Sequence, residues 1–143
     1  MNKQNNLPRF LLLLGDLAAI TLFVFIGQQD HGTTDVNNPI WGLFRASFPL
    51  LITWVIVAVA VRAYPTREHI FVKTLFLRGL NAWLIAAPLG LLLRAFVLNR
   101  GGIPAIFMLL TILVGGAFVL IWRLLFGFVW QRRHKADVVP LQN

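Results

Sequence analysis

Asp16, Arg94 and Arg123 are ionisable residues set inside otherwise apolar runs of this chain. A carboxylate in hydrocarbon is expensive, so it is usually paired, neutralised or placed beside water. Guanidinium groups are planar forks whose geometry suits carboxylate or phosphate. One acid facing one arginine therefore makes an ion pair that pins two helices. One acid facing two or more leaves surplus positive charge, to which an anionic lipid head group or metabolite is attracted. Other chemistries have little support. Cysteine is absent, which excludes disulfides, thiolate metal sites and a cysteine nucleophile. His31, His69 and His134 are dispersed. Asp30, His31 and Asp35 match no established ligand spacing, so neither a metal nor another cofactor is expected. Ser47 has no base nearby in sequence, and no Gly-x-Ser-x-Gly, Walker or zinc-peptidase pattern occurs. A proton relay through Asp16 lacks a second buried acid or histidine. The chain is not expected to be an enzyme.

The elements that must hold these groups follow from composition. The chain has 143 residues, 58% of them hydrophobic, and a mean hydropathy of +0.75. A soluble domain of this length needs more polar surface than that. The expectation is one all-α domain over residues 1–143, an integral membrane bundle of four transmembrane helices. Its spans fall at about 10–28, 46–63, 75–98 and 103–130, each near the roughly 20 residues that cross about 30 Å of hydrocarbon. Strands are disfavoured, because the apolar runs are continuous rather than alternating. Lys3 and Arg9 before the first run fit a signal peptide as well, but no clear cleavage site follows. Thr66 is a candidate helix cap, Arg100-Gly101-Gly102 a tight connection, and residues 135–143 a frayed cytoplasmic tail.

The formal net charge is +8. The basic residues do not alternate with aromatics on a polar face, so nucleic acid is not an expected partner. They gather at the ends of the apolar runs instead. Lys3, Arg9, Arg67, Lys73, Arg132, Arg133 and Lys135 belong to the two tails and the loop between spans two and three. By the positive-inside tendency, both termini face the cytoplasm and the protein spans the cell's inner (plasma) membrane several times.

Counting about 1.5 Å per residue along each helix puts Asp16 roughly 9 Å and Arg123 about 10 Å from the same cytoplasmic edge. Arg78 reaches that level from span three. Asp16, Arg78 and Arg123 thus form an expected inner cluster, the candidate anion site. Asp30, His31, Arg45 and Arg94 form a weaker outer one. Helical phase aligns Trp83, Ala87, Gly90 and Arg94 on one face of span three. It aligns Gly116, Leu120, Arg123 and Gly127 on one face of span four, and small residues on such stripes favour close helix contact. Pro88 is expected to kink span three.

In order along the chain, Gly15-Asp16, the Gly-x3-His of Gly27 to His31, Phe48-Pro49, Pro88-Leu-Gly-Leu-Leu-Leu-Arg94 and Trp122-Arg123 form a pattern. With these pieces the chain resembles a bacterial and archaeal family of small membrane proteins catalogued as domain of unknown function 3054. The resemblance implies a four-span membrane protein with no assigned activity and no catalytic residues to carry over. It draws attention to Asp16, His31, Arg94 and Arg123. The leading expectation is binding or transport of a small anion or anionic lipid head group. The alternative is a non-catalytic scaffold or accessory subunit whose Asp16–Arg123 pair is purely structural. Beyond the lipid bilayer, a homo-oligomer or a partner membrane subunit is expected in either case, since four short spans leave little room for a private path.

Overall fold

The computed structural model describes residues 6–32, 34–64, 71–97 and 102–136. Helices α1 (Leu7–Asp30), α2 (Pro39–Ala60) and α3 (Val72–Val97) come first in the chain. The last span comprises α4 (Ala105–Leu110), a π-helical segment at Thr111–Gly115, and α5 (Gly116–Ala136). Four helical stretches are long and apolar enough to cross a membrane. The described residues contain no strand.

Helices α1, α2 and α3 begin before the expected spans; α2 is shifted most, starting at Pro39 and ending at Ala60 rather than at 63, and local chemistry explains its start. Asn38 caps α2, its side-chain oxygen accepting from the Trp41 N–H at 3.1 Å, and Pro39 occupies the first helical position. Span two therefore starts about two turns before Ala46, and the connection from α1 shrinks to the residues around Asp35. The Asp35 carboxylate folds that connection by accepting from the Asn37 and Asn38 N–H groups. Pro104 immediately precedes α4. Helix α3 is continuous through Pro88, as α2 is through Pro49. The expected Thr66 cap, residues 98–101 and residues 137–143 lie outside the described residues.

Contacts between named residues fix an up-down-up-down bundle. Gly15 meets Trp122 while Gly115 meets Phe23, so α1 runs antiparallel to the last span. Gly90 packs on Leu50 and Thr53 while Trp54 meets Trp83, so α2 and α3 are antiparallel. Gly79 meets Arg123 while Gly116 meets Trp83, and α3 is antiparallel to the last span too. Gln28 donates to the Gly42 carbonyl at 3.4 Å across the turn between α1 and α2. The ends holding Arg9, Tyr64, Lys73 and Arg132 therefore lie together, opposite Asp30, Asp35 and Arg45.

The core is built of small residues around two indoles. Ala19, Ala58, Ala82, Ala86 and Ala87 are buried beside Trp54 and Trp83, whose rings sit 5.9 Å apart. Small residues let helix backbones approach, which drives association where lipid removes the hydrophobic incentive. Both expected stripes face protein: Trp83, Ala87 and Gly90 are buried on α3, and Gly116, Arg123 and Gly127 on the last span. Large side chains such as Leu22, Ile56, Leu92, Leu113 and Ile121 point outward. An apolar exterior over satisfied helical backbone suits hydrocarbon surroundings. At the π-helical segment, the Trp83 indole seats on Gly115 and Gly116 and donates to the Ile112 carbonyl at 2.9 Å. Such segments accommodate an inserted contact within an otherwise α-helical ladder.

Candidate functional site

Two dipeptides interlock at the centre of the basic half of the bundle. On α1, Gly15 has no side chain, and the Trp122 indole fills the space a Cβ would need. The indole N–H donates to the Leu12 carbonyl at 3.2 Å. The next residues along each helix then meet. Arg123 Nε donates to Asp16 Oδ1 at 3.0 Å, and its Nη2 donates to Asp16 Oδ2 at 2.7 Å. This is the two-pronged fork expected of an arginine and a carboxylate. Neither side chain exposes any surface.

The rest of the guanidinium is used by α3 and the turn after α2. Arg123 Nη1 donates to the carbonyls of Ala63 at 3.2 Å and Leu75 at 3.4 Å. Its stem passes Gly79, where a Cβ would lie 2.6 Å from Arg123 Cδ. The Ala63 carbonyl is aimed by the way α2 ends. Arg62 adopts φ 52°, while the Ala63 N–H bonds the Ala58 carbonyl and the Arg62 N–H bonds the Val59 carbonyl. That is a Schellman ending, with arginine in the left-handed position that glycine usually takes. It also delivers Tyr64, whose hydroxyl donates to Asp16 Oδ2 at 3.0 Å.

Aromatic faces complete the enclosure. The guanidinium carbon lies 5.1 Å from the Trp54 ring centroid and 5.3 Å from that of Tyr64. Desolvated cation–π contacts of this kind are worth up to about 2 kcal/mol each. Trp54 presents its ring to the cation, and its buried indole N–H has no hydrogen-bond partner among the described residues. Asp16 and Arg123 thus join all four spans through one buried network.

The family model for a protein of unknown function, DUF3054, matches residues 13–126. The chain belongs to this family. No curated protein and no solved structure matches it. The matched stretch of this DUF3054 chain contains both interlocking dipeptides, Gly15-Asp16 and Trp122-Arg123.

Other expected site residues of the DUF3054 chain are placed differently. Arg78 is exposed, and its Nη1 donates to the Arg62 carbonyl at 3.2 Å, beside the network rather than inside it. The reason is helical phase: Gly79 faces Arg123, and Arg78 lies about 100° round α3 from it. At the opposite end Asp30, His31 and Arg45 are exposed, while half-buried Arg94 lies over the Phe107 ring at 5.3 Å. Ser47 is buried, with its hydroxyl donating back to the Leu43 carbonyl of its own helix at 2.9 Å. Among the described residues, no three His, Cys, Asp or Glu side chains are grouped as a metal site would need.

Tyr64, outside the four spans, gives the network a readable pH signature. Burial, and then the neighbouring Asp16 carboxylate, push its phenol above the ordinary value of 10.0. The folded value exceeds the unfolded one, so the phenol's contribution to stability is complete below pH 10 and is lost as pH rises through the folded value. Tyr64 is the chain's single tyrosine, so ultraviolet absorbance reports on it alone. At about pH 11 folded protein is expected to hold Tyr64 neutral, whereas an unperturbed phenol is mostly ionised there. A half-point near 10 in folded protein would contradict the buried Tyr64–Asp16 contact.

Proposed function

We propose that this DUF3054 protein is a non-catalytic scaffold or accessory subunit of the cell's inner (plasma) membrane, held together by a structural Asp16–Arg123 pair. What supports this reading above all is how fully the pair is engaged, with four of the five Arg123 N–H donors bonded inside the protein. Arg123 spends its donors on Asp16, Ala63 and Leu75 inside the protein, and the pair has no exposed surface. A buried guanidinium already matched to a carboxylate and two carbonyls is a poor receptor for a further anion. Anion binding or transport at Asp16, Arg78 and Arg123 would require the latch to open.

Both termini are placed in the cytoplasm in this reading. Support comes from Arg9, Arg62, Lys73, Arg132 and Arg133, which share one end of the bundle opposite Asp30 and Asp35. A reporter fused after Gln29 and found in the cytoplasm would overturn that orientation. The functional reading is tested by native mass spectrometry after isolation in mild detergent. A fixed stoichiometry with itself or with one other membrane subunit is expected. A monomer that binds a small anion, and loses it in folded Arg123→Leu protein, would replace this reading with the anion-binding one.

A further inference from the structure

A groove on the outer surface between α1 and α2 reaches the network from its lipid-facing side. It is lined by Phe10 and Leu13 of α1, by Val55 and Val59 of α2, and by Tyr64, which also reaches Asp16. Arg9 and Asn6 lie at its mouth, and its volume is about 290 Å³. That is at the lower edge of ligand pockets, which span roughly 300–1,000 Å³, and the groove is open to the outside. Such a trough does not enclose a compact ligand. It suits one end of a long, flexible, apolar molecule whose polar part stays at the mouth.

Charge selects what that polar part is. The groove opens at the bundle end that carries Arg9, Arg62, Lys73, Arg78, Arg132 and Arg133. Among the described residues the acid of that half is Asp16, both of whose oxygens are occupied by Arg123 and Tyr64. The groove floor is apolar at the depth of the first two turns of α1, where acyl chains begin below their head groups. Phe10 and Val59 are 56% and 64% exposed, so the groove faces the bilayer.

We infer that this groove is a binding site for an anionic phospholipid, with an acyl chain along Leu13 and Val55 and the phosphate held at Arg9. A basic residue beside an anionic leaflet contributes roughly 1 kcal/mol, or about fivefold in affinity. The chain lies against the Tyr64 ring, so the bound lipid braces the side chain that hydrogen-bonds Asp16. The site rests on the membrane placement proposed above and is independent of the scaffold role.

The test uses the full chain in detergent, titrated with phosphatidylglycerol or phosphatidylcholine and read by native mass spectrometry. The wild type is expected to keep one phosphatidylglycerol per chain under conditions that strip phosphatidylcholine. Arg9→Gln should cut that preference by about fivefold. Leu13→Trp, which fills the groove with apolar bulk, should lose the bound lipid while keeping a folded thermal transition. Equal retention of both lipids by the wild type would overturn the inference, as would unchanged phosphatidylglycerol retention in both variants. Either result, for a chain recovered from the membrane fraction, leaves the membrane placement standing. Recovery of the chain in the soluble fraction without detergent would overturn both.

Discussion

Arg123→Leu is expected to destabilise the protein by about 3–5 kcal/mol, the usual cost of leaving one member of a buried ion pair alone. The substitution does more than remove a charge. It strips Asp16 of two hydrogen bonds and frees the carbonyls of Ala63 and Leu75, all in a region without exposed surface. A leucine also leaves the faces of Trp54 and Tyr64 without the cation they enclose. Asp16→Asn should cost a similar amount, about 3–5 kcal/mol, because it leaves the buried Arg123 guanidinium without its counter-charge even though the amide oxygen still accepts one arginine donor. Equilibrium unfolding in mixed detergent micelles, followed by Trp fluorescence, measures both. Near-wild-type stability of Arg123→Leu would mean that the guanidinium is not buried against Asp16.

Gly15→Val should be the most damaging change that touches no charge. A Cβ at Gly15 would overlap the Trp122 indole, which is tied to the Leu12 carbonyl and tilted against Phe126 at 5.9 Å. Overpacking typically costs about 1–3 kcal/mol and occasionally more. Here the displaced residue neighbours Arg123, so strain at Trp122 also pulls the fork off Asp16. Gly27, further along the same helix, is the control, because nothing lies within 4 Å of a Cβ placed there. Replacing it with alanine should raise stability by about 0.5–1 kcal/mol, the ordinary gain of Ala over Gly in a helix interior. Thermal denaturation of the two variants should therefore give opposite signs. If the additional substitution Trp122→Ala does not restore part of the Gly15→Val loss, the packing explanation fails.

The pairing of Asp16 with Arg123 is legible in the sequence because long apolar helices packed in one bundle turn residue number into height along it. Counting from opposite ends of spans one and four puts the acid and the base at one level, and the cost of isolated charges then makes them partners. The small-residue stripes are legible for a similar reason, since phase along a helix depends on spacing alone. Arg78 shows the limit of counting depth without phase. It reaches the right level, but Gly79 holds the inward position, so Arg78 is turned outward to the Arg62 carbonyl.

What escaped the sequence lies where the chain is irregular. Tyr64 follows α2 in a turn, and its reach to Asp16 depends on Arg62 taking a left-handed conformation that nothing in the residue type announces. The signal available was thin: the chain's single tyrosine stands at the end of span two on the Asp16 side. The Ala63 and Leu75 carbonyls are backbone groups freed at helix ends, and sequence does not show where they point. The early start of α2 was hidden because Gly42 and Arg45 read as loop, while the Asn38 cap and Pro39 decide otherwise. The π-helical segment depends on the Trp83 indole arriving from another helix.

The central claim is that Asp16 and Arg123 act as one unit joining α1 to α5, and a double-mutant cycle tests it most directly. Stability is measured in one detergent for the wild type, Asp16→Asn, Arg123→Leu and the double variant. The double variant should be more stable than Arg123→Leu alone, with an interaction energy of about 1–3 kcal/mol. Losses that simply add would contradict a direct pair and return both residues to separate roles.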